Sequence, residues 1–237
     1  MVKETKRKIK AIIFDLDDTL LDSSGTTKLA HMHACEKMIG AGLPAKDVDE
    51  AYDALTKIIQ VRGSNYSNHY NLLCNQYKAK NKARVIAAGM VAYHNTKFAF
   101  LRLFPDVMDT LMYLVKNNYK LLIITNGIAI KQWEKIIRLR IDSIVDRVYI
   151  SKEKNTSTSK SSMAKFALKE NNLLPEEVVW VGDRLDTDIM EANQLNIHSI
   201  RILKGKRAKE LPKNKDQQPQ FTIDNISELP KILDKLN

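Results

Sequence analysis

Short, mostly apolar runs recur along this chain at residues 11–14, 121–124, 147–150, 178–181 and 197–203. A run apolar on both faces of a strand must be covered on both faces, which is the condition of a parallel sheet flanked by helices. The intervening segments supply those helices. Residues 106–116 carry Val107, Leu111, Leu114 and Val115 at helical spacing, 131–138 carry Trp133, Ile136 and Ile137, and 161–171 carry Met163, Phe166 and Ala167. Strand and helix in alternation predict an α/β fold with a doubly covered parallel sheet.

Residues 23–102 interrupt that rhythm. They hold three apolar stripes of helical period: Val48, Ala51, Tyr52, Leu55, Ile58 and Ile59; Tyr66, Tyr70, Leu73, Cys74 and Tyr77; and Val85, Gly89, Ala92, Thr96, Ala99 and Leu103. Breaks fall at 40–44 and 62–64. About eighty residues of helix after the first strand are too many for a loop and suit a small bundle. The expected organisation is therefore a discontinuous core, 1–22 and 103–237, with an all-helical insertion at 23–102.

The net charge of +10 resembles a nucleic-acid signal until it is located. Residues 1–10 and residues 204–216 each carry a net +4, so little positive charge is left for a folded recognition face. Such short solvated runs serve solubility, and no nucleic-acid partner is expected. Two cysteines, Cys35 and Cys74, make no disulfide framework, so reducing, cytoplasmic surroundings are the default. No apolar run approaches the ~20 residues of a membrane span.

Ligands of open parallel sheets bind beyond the carboxyl ends of the strands. After run 11–14 comes Asp15-Leu16-Asp17-Asp18-Thr19; after 121–124, Thr125-Asn126-Gly127; after 178–181, Gly182-Asp183-Arg184-Leu185-Asp186-Thr187-Asp188. Side-chain alternation sends Asp15 and Asp17 to one side and Leu16 into the core. Neighbouring carboxylates repel, an arrangement kept for a metal or for divided acid and base roles. With Asp183 and Asp188 converging, an all-oxygen set suits a hard cation, Mg2+ first. Each carboxylate alone is equally a turn or cap residue; three such strand ends on one edge point to function.

These three segments resemble motifs I, II and IV of the haloacid dehalogenase (HAD) superfamily, and a helical insertion between motifs I and II resembles its C1-capped subfamily I. The stretches Gln132-Trp133-Glu134-Lys135 and Tyr93-His94-Asn95-Thr96-Lys97-Phe98 are similar to archaeal phosphatases of that family. The resemblance implies a Rossmann-like core with an inserted cap and hydrolysis of small phosphate monoesters, of the triose or sugar phosphate class. Asp15 is then the nucleophile and Asp17 the proton donor and acceptor. Mg2+ is held by the Asp15 carboxylate, the Asp17 carbonyl and Asp183, with Asp188 in support. The Thr125 hydroxyl and the backbone N–H groups of Leu16 and Asn126 hold the phosphate. Tyr66 and His94 are expected among cap residues lining the substrate, beside His69, Tyr93 and Lys97. The motif III lysine of the family falls on Thr158; Lys160, two residues on, is the expected replacement, with Lys154 as the alternative and a solvated loop side chain as the bland reading.

Two further readings share these motifs: a phosphotransferase or mutase, and a binder of phosphorylated metabolites weakened in turnover by its displaced lysine. A dehalogenase needs neither Asp17 nor Mg2+. A receiver domain would carry its phosphoryl group on a later strand and lacks such an insertion. The expected partner is a small phosphorylated metabolite, and the expected state a monomer or homodimer.

Overall fold

The computed structural model describes residues 8–152 and 158–237. Most of the amino-terminal basic run, and Lys154, lie outside the described residues. The chain divides into two compact units, Met1–Ser23 with Arg102–Asn237, and Ser24–Leu101.

The first unit is built on β1 (Ala11–Phe14), β2 (Lys120–Ile128), β3 (Arg147–Lys152), β4 (Val178–Gly182), β5 (His198–Ile202) and β6 (Phe221–Ile223). All neighbouring pairs are parallel, in the order β3-β2-β1-β4-β5-β6. The order reverses between β1 and β4, the switch point beside which crevices of such sheets open. β1 is fully buried, as its four apolar residues require. On one face Ala11, Ile13, Leu122, Ile124, Val178 and Trp180 pack against Met163, Ala164, Ala167 and Ala192.

The expected α/β architecture holds, with corrections at its edges. β6 was not anticipated: three residues are too few to display a period, and pairing with β5 defines it. β2 runs past the apolar run 121–124, through Thr125, Asn126 and Gly127 to Ile128, with an irregularity against β3. After β4 the chain forms a wide π turn, Leu185–Ile189, which passes into a short α-helix, Met190–Gln194. Numbering the helices along the chain, α1 is Ser23–Gly40, α2 Val48–Arg62, α3 His69–Gln76, α4 Lys82–Phe100, α5 Val107–Lys116, α6 Ala129–Arg138, α7 Lys160–Glu170, α8 that Met190–Gln194 segment, and α9 Leu229–Leu236.

The second unit is helical, formed by α1 to α4. Its own core joins Cys35, Met38, Leu43, Ala51, Leu55, Leu73, Cys74 and Val85, with the first two stripes packed largely as read; of the third, Val85, Gly89, Ala92 and Thr96 are buried, whereas Ala99 is exposed and Leu103 lies in the first unit. Both cysteines are buried and free, and burial pushes the Cys35 thiol up to about 12. Among the described residues no helix is long and apolar enough to cross a membrane.

Candidate active site

The register fixes the site. Phe14 lies opposite Ile123 of β2 and Val181 of β4, so Asp15, Thr125 and Asp183 all emerge within two residues of one line across the carboxyl edge. The Asp15 N–H donates to Val181 O at 2.9 Å, which ties the start of the loop to the neighbouring strand. Asp15, Asp183 and Asp188 converge so that one carboxylate oxygen from each lies within 4.8 Å of the others. All three are buried, Asp188 completely. Asp188 reaches the cluster because the π turn brings its side chain back over Gly182; a Cβ at Gly182 would overlap the Asp188 carboxylate. Asp188 Oδ2 accepts from the Arg184 N–H at 3.1 Å.

Lys160, the expected replacement lysine, reaches this trio from a helix and not from the expected loop. The sequence placed it in a loop ahead of a helix beginning at residue 161; it is the first residue of α7 and 2 % exposed. Ser159 caps the helix by accepting from the Ser162 N–H, which starts it one residue earlier. That frame puts Lys160 on the buried stripe of Met163, Ala164 and Ala167, facing the sheet. Its ammonium donates to Asp15 Oδ1 and, at 2.6 Å, to Asp188 Oδ1. Thr158, where the family's lysine was sought, is instead tied to β3 through Ser151 O at 2.9 Å.

Electrostatically the cluster is under-compensated. Burial, with Asp188 and Asp17 nearby, pushes Asp15 up to about 7 although Lys160 opposes the rise. Burial and the Asp15 and Asp188 charges push Asp183 up to about 8. Desolvation pulls Lys160 down, but Asp15 and Asp188 outweigh it and raise it above the ordinary lysine value. Fully ionised, three carboxylates against one ammonium leave two negative charges, the charge that a divalent cation cancels. Among the described residues, Asp183 Oδ1 is buried without a hydrogen-bond partner. An unpartnered carboxylate oxygen in an all-oxygen set fits a hard cation, and the residues present therefore suit Mg2+.

Asp17 does not join this trio through its side chain. Its carboxylate accepts from Lys135 Nζ at 2.6 and 2.8 Å and from Gln132 Nε2 at 3.0 Å. Burial raises its pKa, but the Lys135 charge and these hydrogen bonds outweigh that and hold it below the usual carboxylate range. Gln132 Nε2 also reaches Thr125 Oγ1 at 2.9 Å and Asn126 O at 2.7 Å. Because Thr125 Oγ1 accepts that bond, its own O–H is left to donate. Leu16 is buried, its side chain in the core, with its carbonyl accepting from the Leu20 N–H at 3.0 Å. Asp186 points elsewhere, paired with Arg184 and Arg207.

Sequence reasoning missed Gln132 and Lys135 as site residues. The signal was present: positions 132, 135 and 136 share a helix face immediately after a strand end, and Gln132 and Ile136 are buried while Ile130 and Ile137 are exposed. Tyr66 and His94 belong to the helical unit. Tyr66 packs edge-on to His69, whose Nε2 lies 3.0 Å from Gly63 O; His94 is exposed between Tyr93 and Phe98. His31 and His33, to which the sequence assigned nothing, contact Tyr70 and Thr96.

A Rossmann-ordered sheet with acids after its first and fourth strands, and a buried lysine between them, defines a class of hydrolase. Residues 12–202 match the family model of haloacid dehalogenase-like hydrolases, and the chain belongs to that family. Among curated proteins it is similar to the glyceraldehyde 3-phosphate phosphatases of Methanocaldococcus jannaschii (42 % identical, 96 % of this chain, 98 % of that protein) and Methanopyrus kandleri (41 %, 96 % and 98 %). Among solved structures, the magnesium-bound putative HAD-hydrolase YfnB of Bacillus subtilis shares the fold at TM-score 0.71 and 17 % identity, covering 96 % of this chain and 99 % of its own.

Proposed function

We propose that this chain hydrolyses small phosphate monoesters of the triose or sugar phosphate class, with Mg2+, through an aspartyl-phosphate on Asp15. The observation that carries the reading is the buried meeting of Asp15, Asp183, Asp188 and Lys160 at the switch point of the sheet. Its relatives at 41–42 % identity, named glyceraldehyde 3-phosphate phosphatases, support a triose phosphate as the first substrate to test.

Asp15 attacks phosphorus, forming an O–P bond as the bond to the ester oxygen breaks. Asp17 passes a proton to the departing oxygen and, when water cleaves the aspartyl-phosphate, takes one from that water, so the cycle closes with free phosphate and alcohol. Thr125 Oγ1 and the N–H groups of Leu16 and Asn126 hold phosphate oxygens. Lys160 offsets charge between nucleophile and phosphate. Asp15, Asp183 and Asp188, with the Asp17 carbonyl, are the residues to hold Mg2+, which when bound neutralises charge building on the transferring group. Lys160's contact with both Asp15 and Asp188 favours turnover over a binder that lacks the lysine. Residues 23–102 serve as the cap, and Tyr66 and His94 are its proposed substrate-binding residues. Free, buried Cys35 and Cys74 support a reducing, cytoplasmic setting.

The test is phosphate release from a panel of phosphorylated metabolites with Mg2+ and with EDTA. Turnover that needs Mg2+ and disappears in Asp15→Asn supports the reading. Transfer to a second hydroxyl without phosphate release would mark a mutase, and Mg2+ binding without turnover a binder.

A further inference from the structure

The basic run at 204–216, read from the sequence as a solubility device, starts where β5 ends, on the same edge of the sheet as Asp15 and Asp183. Its first half is anchored there. Arg201, the β5 residue opposite Gly182, is 5 % exposed, and its guanidinium is given over to the chain ahead of it. Nη1 donates to Glu210 O at 2.8 Å, and Nη2 to Arg207 O at 2.8 Å and Ala208 O at 3.4 Å. Gly205, at φ +64°, lies so close to the motif I loop that a Cβ there would overlap the Asp18 side chain. Lys204 Nζ stands 5.2 Å from the centre of the Phe104 ring, and the Phe104 N–H donates to Leu20 O at 2.9 Å. Arg207 reaches Asp186 of the π turn at 3.5 Å. The turn is thus pinned to both acid-bearing loops, and all of these residues belong to the first unit.

Four cations fall within residues 204–209, and Lys206 and Lys209 among them are exposed. The floor of the site has the opposite sign, because Asp15, Asp183 and Asp188 outnumber Lys160. A phosphate dianion approaching that floor is repelled unless positive charge lies near its path. Charge of one sign around a cleft raises the local concentration of a ligand of the other sign. A charge that served solubility alone would need no buried arginine to hold it over one place. We propose that the turn 204–209, held by Arg201, is an anion-attracting rim that draws the phosphate dianion of the substrate to the site, with Lys206 and Lys209 as its exposed charges. The inference rests on the phosphatase reading above and extends it to substrate choice. A monoester bearing a further carboxylate gains more from the rim than one whose remainder is neutral, since Coulomb attraction grows with the ligand's charge.

Position separates a rim from a contribution to net charge. The rim variant joins Lys206→Glu and Lys209→Glu. The control joins Lys116→Glu and Lys169→Glu, the same change of charge at exposed positions. Lys116 lies in the last turn of α5, ahead of β2; Lys169 lies in the last turn of α7, beside Asn171, which bonds Lys120 at the start of β2. Both therefore sit at the amino edge of the sheet. With saturating Mg2+, kcat and KM are measured for a triose phosphate and for a phosphorylated carboxylic acid. Ionic strength is set to about 10 mM and to about 1 M, over which the reach of a charge falls from ~30 to ~3 Å. At low salt the rim variant is expected to lose about tenfold in kcat/KM, through KM, the lower end of what charge-lined clefts supply. The loss is larger on the acid and shrinks below about twofold at high salt, while the control stays within about twofold throughout. Should the reversed pair fail to fold, Lys206→Gln with Lys209→Gln takes its place, with a loss of about threefold. A loss that matches the control, persists at high salt or falls on kcat overturns the rim while the phosphatase reading stands. If the wild type releases phosphate from neither substrate, that reading falls. The rim is then judged by calorimetric binding of inorganic phosphate in Mg2+: the same salt-sensitive loss of affinity supports it, and unchanged affinity overturns it.

Discussion

Lys160→Met isolates the charge balance on which the site depends. The ammonium lies 2.6 Å from Asp188 Oδ1 and bonds Asp15 as well. At an effective dielectric of about 20, one such contact is worth roughly 6 kcal/mol of Coulomb attraction. Desolvation of the three charges cancels much of that, but removing only the lysine leaves the carboxylates buried and unpaired, which costs about 3–5 kcal/mol. For a chain of this size that corresponds to roughly 10 °C in melting temperature. Methionine keeps the unbranched stem, so packing along Met163 and Ala164 is little changed. The assay is thermal unfolding by circular dichroism in EDTA at pH 8 and pH 5.5. Asp15 and Asp183 are already pushed up to about 7 and 8. Protons therefore discharge the variant's cluster at the lower pH, and the deficit should shrink there. Saturating Mg2+ at pH 8 should shrink it too. A deficit below about 1 kcal/mol at pH 8, or one that ignores both pH and Mg2+, refutes the reasoning.

Other outcomes follow from the same geometry. Gly182→Ala puts a Cβ onto the Asp188 carboxylate and is expected to destabilise by about 1–3 kcal/mol while weakening Mg2+ binding by isothermal titration; unchanged affinity would mean that Asp188 does not hold the ion. His31, whose pKa is lowered to about 4 by burial with His69 and Lys97 nearby, is neutral when folded. Because the unfolded imidazole takes up its proton near 6.5, this stability is full above pH 6.5 and is lost as pH falls towards 4. Between pH 7.5 and pH 5 the loss is about 2 kcal/mol, measured by urea unfolding. His31→Phe should flatten that part of the pH dependence; an unaltered slope places its origin elsewhere.

The sheet and the acid-bearing strand ends were legible because both follow from local rules. Uniform burial of 11–14 and 178–181 marks central parallel strands, and period-two alternation separates Asp15 and Asp17 from Leu16. What escaped depended on details that local patterns do not carry. Lys160 was expected at the site but in a loop; with Ser159 as cap it is instead the first helical residue, on the buried stripe of Met163, Ala164 and Ala167. The π turn at Leu185–Ile189, which delivers Asp188, breaks the very periodicity used to find helices. Gln132 and Lys135 lay on a readable helix face, but their convergence on Asp17 comes from tertiary packing across more than a hundred residues. β6 gained its identity from its neighbour.

The most direct trial of the whole account is acid quenching of the wild-type enzyme, milliseconds after mixing with Mg2+ and a triose phosphate, followed by peptide mass spectrometry. One phosphoryl group should appear on the peptide bearing Asp15, absent in Asp15→Asn and absent with EDTA. Substrate consumed while that peptide stays unmodified at every quench time, or a phosphoryl group on another residue, would contradict the account.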